Sequence, residues 1–258
     1  MILFKINLIS FLTIVKREFS RISRIWPQTI LPPIITTFLY FLIFGNLIGD
    51  RIGIMSGYYY IEYIIPGLLM MTLVTTSYIN VVSSFFSSKF QKYIEEILIS
   101  PTYNFTIMIG FVFGGIIRSF IVGFLILFIS TFFCKYYFFS YFVIILVSII
   151  TSILFSLIGL LNGIVAVKFD DVSIVPTFIL TPLIYLGGIF YSIDILPDFW
   201  KFFVYLNPMF YIINVFRYGI LGISETNIFV SFIVMLFFLF FFCFLSFFSL
   251  HFGFKLKK

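Results

Sequence analysis

Charge is what this sequence has least of. Only 10% of its 258 residues are Asp, Glu, Lys or Arg, 62% are apolar, and the mean hydropathy is +1.20. A soluble domain carries about 25% charged residues, so water alone cannot solvate this chain and lipid must cover it. Histidine is down to one residue, His251, and cysteine to two, Cys134 and Cys243, far apart in apolar surroundings. That leaves no CxxC pair and no metal-ligand spacing, and the thiols read as inert. Catalytic signatures are missing too: GxSxG, HExxH and a glycine-rich phosphate loop with its lysine are all absent. The ten acidic residues all fall in predicted loops or the N-terminal segment: Glu18, Asp50, Glu62, Glu95, Glu96, Asp170, Asp171, Asp194, Asp198 and Glu225. Carriers driven by protons or sodium place a carboxylate inside the membrane, so the energy source here is expected to lie elsewhere. A cleavable signal is not expected, because Met1 to Val15 has no small-residue cleavage site and runs into Lys16-Arg17-Glu18.

What is present is long apolar runs. Charge, Gly and Pro divide them into six spans, each near the 20 residues a crossing needs. They are Ile30–Ile48, Ile64–Phe86, Thr106–Phe133, Phe138–Val167, Ile174–Phe190 and Ile228–Leu250, with no linker or internal repeat between them. The expected fold is an all-α membrane protein, residues 1–258 forming one domain: interfacial segment 1–27, six-span bundle 28–250 and basic tail 251–258. Eleven Lys and Arg fall on one side of these spans: Lys5, Lys16, Arg17, Arg21, Arg24, Lys89, Lys92, Lys168, Lys255, Lys257 and Lys258. Four fall on the other, Arg51, Lys135, Lys201 and Arg217, and Arg118 lies within span three. Basic loops stay in the cytoplasm, so both termini are expected there. The net charge of +6 reads as this bias, with no nucleic-acid partner implied.

Four stretches carry more than apolarity. Before span one, Leu8, Phe11, Leu12, Val15, Phe19, Ile22 and Trp26 recur at helical spacing, opposite Lys16, Arg17, Ser20, Arg21 and Arg24. Such a helix lies in the headgroup layer, as an anchor or as a docking collar. After span two, Lys89 to Ser100 reads as a short helix halted before Pro101. Phe90, Ile94, Ile97 and Leu98 share one face, while Lys92 and Glu96 can pair across the other. That apolar face needs either headgroups or a protein groove. After span five, Pro197 opens and Pro208 closes an aromatic rod with a narrow polar stripe, Asp198, Lys201 and Tyr205. It is too short to cross, which leaves a re-entrant hairpin or an aromatic belt. Span three holds Gly110-xxx-Gly114 beside Gly115-xxx-Ser119-xxx-Gly123, and span four Gly159-xxx-Gly163, spacings that favour internal helix packing. Arg118 on the Gly110/Gly114 face must meet protein or water, as a pathway or gating residue or in structural pairing with carbonyls or Asn162.

Two of these stretches in this order, Glu95-Glu96-Ile-Leu-Ile-Ser-Pro101 and Gly187-Gly-Ile-Phe-Tyr-Ser…Leu196-Pro197…Leu206-Asn207-Pro208…Arg217, resemble the permease of the ATP-binding-cassette type 2 exporter family. The likeness runs over nearly the whole chain and is nearest to small bacterial inner-membrane permeases. It implies a homodimer with two copies of a separate ATPase subunit, which would hold ATP and Mg, so that this chain carries no cofactor and is no enzyme. It implies that Phe90, Lys92, Ile94, Glu95, Glu96, Leu98 and Pro101 belong to the ATPase-coupling helix, and that Pro197–Arg217 is the re-entrant segment. It leaves Arg118, Asn162, Pro197, Pro208 and Arg217 as pathway or gating candidates and the exported substrate unnamed. The alternative is a secondary transporter or channel not coupled to ATP.

Overall fold

The computed structural model describes residues 2–134 and 138–253. Lys135, Lys255, Lys257 and Lys258 of the charge count lie outside the described residues. Helix α1 (Ile2–Arg24) leads into α2 (Trp26–Tyr40), which widens into a π-helical turn at Phe41–Leu47. A short α3 (Gly49–Ile52) precedes a two-residue hairpin, β1 (Ile54–Met55) antiparallel to β2 (Tyr58–Tyr59). Ser56 and Gly57 close it at φ 50 and 86. Then come α4 (Tyr60–Phe90), α5 (Tyr93–Ile99), α6 (Asn104–Ser130) and α7 (Tyr141–Val165). Beyond these lie α8 (Phe169–Val175), a π-helical turn at Pro176–Leu180, α9 (Thr181–Tyr185), α10 (Asp198–Leu206), α11 (Pro208–Leu221) and α12 (Ile228–His251).

Among the described residues five helices are long and apolar enough to cross a membrane: Trp26–Gly45, α4, α6, α7 and α12. These match expected spans one to four and six, with ends moved by a few residues. The expected fifth span, Ile174–Phe190, is not one α-helix but two short pieces around a π turn, ending at Tyr185. Pro176 and Pro182 account for the break, since each removes an amide donor and crowds the preceding turn. Between the expected prolines a helix does form: α10 ends at Leu206, and Asn207 caps α11 by accepting the Met209 amide at 2.9 Å, with Pro208 in the first turn.

The scaffold is α4, α6 and α7, with α4 buried along most of its length. Glycines set their separation. A Cβ at Gly159 of α7 would stand 2.6 Å from the Tyr78 carbonyl oxygen of α4, and one at Gly115 of α6 would stand 3.2 Å from the Ser77 carbonyl oxygen. Main chains therefore approach closely, the packing that lipid-embedded helices rely on where no hydrophobic gain drives association. The Gly110/Gly114 face turns to α1: a Cβ at Gly110 would meet Ile14, and one at Gly114 would meet Glu18.

That last contact corrects the expectation for α1. It runs lengthwise and parallel to α6, Asn7 meeting Tyr103 and Thr106, Ile14 meeting Gly110, and Glu18 meeting Gly114. Its buried stripe is Asn7, Ile14, Glu18 and Ile22, while Leu8, Leu12, Phe19 and Trp26 remain exposed. Of the apolar face read from sequence, Ile22 is covered, Phe11 and Val15 are half-buried, and the other four residues are uncovered. Ile14 of α1, Ile94 of α5 and Leu250 of α12 share one apolar cluster, so the first and last helices meet at the same end of the bundle.

Candidate functional site

The end of the bundle that carries α1 also carries α5 and the strongest ionic cluster. Glu18 is fully buried, although the sequence places it in the basic N-terminal helix expected at the headgroup layer. One carboxylate oxygen accepts from the Ser84 hydroxyl, and the other accepts from Arg21 Nη2 at 3.0 Å and Nε at 3.3 Å. Arg21 Nη2 also donates to Asn80 Oδ1 at 2.7 Å. Arg17 donates to Ser88 Oγ at 2.8 Å, with its guanidinium 3.7 Å from Glu18 and 5.5 Å from the centre of the Phe111 ring. Arg17 and Arg21 thus turn inward onto α4, and Lys16 and Arg24 are the basic residues left exposed. A buried carboxylate is tolerable because it is both paired and hydrogen-bonded.

Helix α5 follows a left-handed turn at Lys92 (φ 64), and Ser100 ends it in the extended conformation that Pro101 requires. Of the expected common face of Phe90, Ile94, Ile97 and Leu98, only Phe90 points outward. Ile94 is fully buried, Ile97 and Leu98 pack partly against the same core, and Phe90 ends α4 with its ring 4.8 Å from that of Phe169 and tilted 60° to it. Sequence periodicity identifies an apolar face but not its counterpart, and here the counterpart is the chain itself. The outward face is Tyr93, Glu95, Glu96 and Ile99, with Ile99 84% exposed. Among the described residues Lys92 and Glu96 form no ion pair. Ser100 and Thr102 share a hydrogen bond, and Thr102 reaches Ser10 of α1 at 3.0 Å, tying the α5–α6 turn to α1.

Three of the pathway candidates donate to main-chain carbonyls. Arg118 is 5% exposed and its Nη2 donates to the Thr29 carbonyl at 2.7 Å. The amide four residues on would belong to Pro33, which has no N–H. Asn162 is not beside Arg118 in any hydrogen bond; its Nδ2 donates to Tyr78 Oη at 2.6 Å and to the Val172 carbonyl at 3.2 Å. Here too the residue four positions on is a proline, Pro176. Arg217 donates to the Gly188 carbonyl at 2.7 Å, in the turn after α9 where Gly188 has φ +78. Asn207 does the same for the Leu183 carbonyl at 2.6 Å, because the Gly187 amide goes to Ile184 instead. The Thr29, Val172 and Leu183 carbonyls, each without its regular helical amide, thus accept from the side chains of Arg118, Asn162 and Asn207. Sequence reasoning singled out Arg118 and Asn162; Pro33 and Pro176 were the unused signal for where their acceptors lie.

At the opposite end Arg217 is 1% exposed, its guanidinium carbon 3.9 Å above the Tyr63 ring and Nη1 3.4 Å from Glu225 Oε1. Tyr63 Oη donates to the same Glu225 oxygen at 2.5 Å, and the Ile193 amide donates to the other at 3.3 Å. Glu225, Tyr63 and Asn214, which holds the Glu225 amide at 2.8 Å, are members of this cluster that the sequence did not single out. Pro197 and Pro208 frame α10 beside it, with Phe199, Phe202 and Leu206 exposed. Among the described residues no three His, Cys, Asp or Glu side chains converge as a metal site.

Residues 9–221 match the family described as ABC-2 type transporter. The inner membrane transport permease YadH of Escherichia coli K12 is 47% identical over 222 residues, which cover 86% of this chain and 87% of the relative. The YadH permeases of E. coli O157:H7 and Shigella flexneri match to the same extent. With five apolar crossing helices and these matches, the chain belongs to the ABC-2 type transporter family, as a multi-pass membrane permease and not an enzyme.

Proposed function

We propose that two copies of this chain form the translocation path of an exporter in the bacterial inner membrane, driven by two separate ATPase subunits that hold ATP and Mg. Both termini lie in the cytoplasm, and residues 169–190 make the sixth crossing. Parity supports this: five long helices with α1 and α12 meeting at one end require one further passage. The Lys/Arg excess at that end supports its cytoplasmic placement. Helices α10 and α11 are read as the re-entrant hairpin, being 9 and 14 residues long. The dimer and the outward direction rest on the family resemblance.

One observation carries the coupling assignment. Helix α5 is locked to its own bundle through Ile94 while Tyr93, Glu95, Glu96 and Ile99 face outward beside the basic end of the bundle. The ATPase-facing surface is therefore this acidic, Ile99-centred face, with Phe90 at its edge. Burying a large apolar side chain contributes about 1.5–3 kcal/mol. Ile99→Ala combined with Glu96→Lys is expected to weaken ATPase capture roughly tenfold or more, with normal insertion. Co-purification of the ATPase at the wild-type level would rule this face out. ATP hydrolysis by the purified chain alone would instead overturn the division of labour.

A further inference from the structure

We propose that the cleft between α1 and the last turns of α4 binds a phosphate group, presented by the headgroup of an anionic lipid. The cleft has a volume of about 460 Å³ and is lined by Arg17, Arg21, Arg24, Ser84, Ser88 and Gln91, among others. Arg17 and Arg21 share one carboxylate, Glu18, which lies fully buried behind them, and Arg24 lines the same cleft. Two positive charges are left uncompensated. Glu18, Asn80, Ser88 and the Phe111 ring hold Arg17 and Arg21 in place from behind. Neither Nη1 group has a protein partner among the described residues, and Arg24 has none at all. Fixed forks of N–H donors with hydroxyls alongside are what a phosphate needs.

The height of the cleft selects the source of the phosphate. Helix α4 has 31 residues, about 46 Å at 1.5 Å per residue, whereas the hydrocarbon core is about 30 Å thick. The two ends together must extend about 16 Å beyond it. Ser84 and Ser88, which hold Glu18 and Arg17, stand six and two residues before the end of α4, within about 9 Å of it. The cleft is then level with the headgroups. Trp26, half exposed at the start of the first crossing and two residues beyond Arg24, has the amphipathic side chain characteristic of that level. The inference rests on the membrane placement of the bundle and is independent of ATPase coupling.

Trp26 supplies the probe, since Trp200 is the only other tryptophan. In a Trp200→Phe background, the full chain in mixed micelles is titrated with phosphatidylglycerol or phosphatidylcholine brominated on the acyl chains. Phosphatidylglycerol should half-quench Trp26 at a mole fraction at least about tenfold lower, and Arg24→Gln, which removes no hydrogen bond or ion pair found among the described residues, should reduce that preference about fivefold. The double variant Lys5→Gln/Lys16→Gln removes two charges outside the cleft and should leave it unchanged. Equal quenching by the two lipids, or equal loss in the Lys5/Lys16 variant, overturns the site. Displacement of the brominated lipid by millimolar pyrophosphate confirms phosphate as the recognised group. Tight binding of pyrophosphate with no lipid preference overturns the lipid source.

Discussion

The link between Arg118 and Pro33 makes a sharp demand on energetics. If Arg118 is held in α6 because Pro33 leaves the Thr29 carbonyl without an amide, restoring the amide should remove the need for Arg118. Arg118→Leu has two opposed effects: it deletes a charge that is expensive to bury, and it strips a donor from a buried carbonyl at a cost of about 1–3 kcal/mol. The sign of the single change is therefore uninformative. The thermodynamic cycle is not, because Pro33→Ala supplies an N–H at the position that reaches Thr29 in a regular α-helix. Hydrogen bonds to charged groups contribute about 1.5–3 kcal/mol in general, and side-chain bonds between membrane helices average only about 0.6. A coupling energy of about 1–2 kcal/mol is thus expected, with Arg118→Leu less harmful, or more favourable, in the Pro33→Ala background. Unfolding free energies of the four proteins in mixed micelles measure it. Sites that do not communicate add within about 0.5 kcal/mol. Additivity to that level would refute the account of Arg118 as a substitute donor.

The same logic applies to Asn162 and Pro176. Asn162→Leu should destabilise the protein by about 1–2 kcal/mol, because it loses the bond to Tyr78 as well as that to Val172, and Pro176→Ala should recover only the Val172 part; an undiminished loss in the double variant would break the pairing with Val172. At the α4–α7 contact, Gly159→Ala would drive a methyl to 2.6 Å from the Tyr78 carbonyl oxygen. Overpacking against main chain costs about 1–3 kcal/mol, and a variant unfolding at the wild-type denaturant midpoint would show that the helices are not locked there.

The spans were legible because hydropathy reports directly on what lipid accepts. Four of them survive with small shifts at their ends, and the first runs on from Trp26. The fifth is a helical run from Phe169 to Tyr185 with a π turn at Pro176–Leu180, and Pro176 and Pro182 were in plain view; hydropathy sums across a proline as though it were any apolar residue. The glycine spacings of α6 and α7 were read as internal packing, and each of these glycines does meet this chain's own α1, α4 or α7. Their partners could not be read, since spacing marks a face and not its neighbour. The same gap turned α5 around: its apolar face was real, but Ile94 uses it inward. Glu18 was hidden for a related reason. A carboxylate inside a basic run looks solvated until a second helix brings Ser84 and Asn80 to it and to its arginine. The ATPase, the dimer and the identity of the coupling residues came from resemblance and not from any local pattern.

Two kinds of attachment therefore coexist in this bundle, and they resist movement differently. Shifting α4 against α6 or α7 drives main chain into main chain, because Gly115 and Gly159 lie against the Ser77 and Tyr78 carbonyls. Such contacts are steep and offer no neighbouring minimum. The interrupted segments are held otherwise. Helix α2 reaches α6 through Arg118 and α4 through Thr37, whose hydroxyl is 3.3 Å from that of Thr72, and residues 169–185 reach α7 through Asn162 and α11 through Asn207. Tyr40 and Tyr185 join these two interrupted segments by a hydroxyl contact of 3.2 Å. A hydrogen bond from a long side chain to a carbonyl can swing or exchange acceptors, and prolines leave further carbonyls nearby to exchange with. Displacement in a transport cycle thus costs least where α2 and residues 169–185 meet the scaffold, and most within α4, α6 and α7.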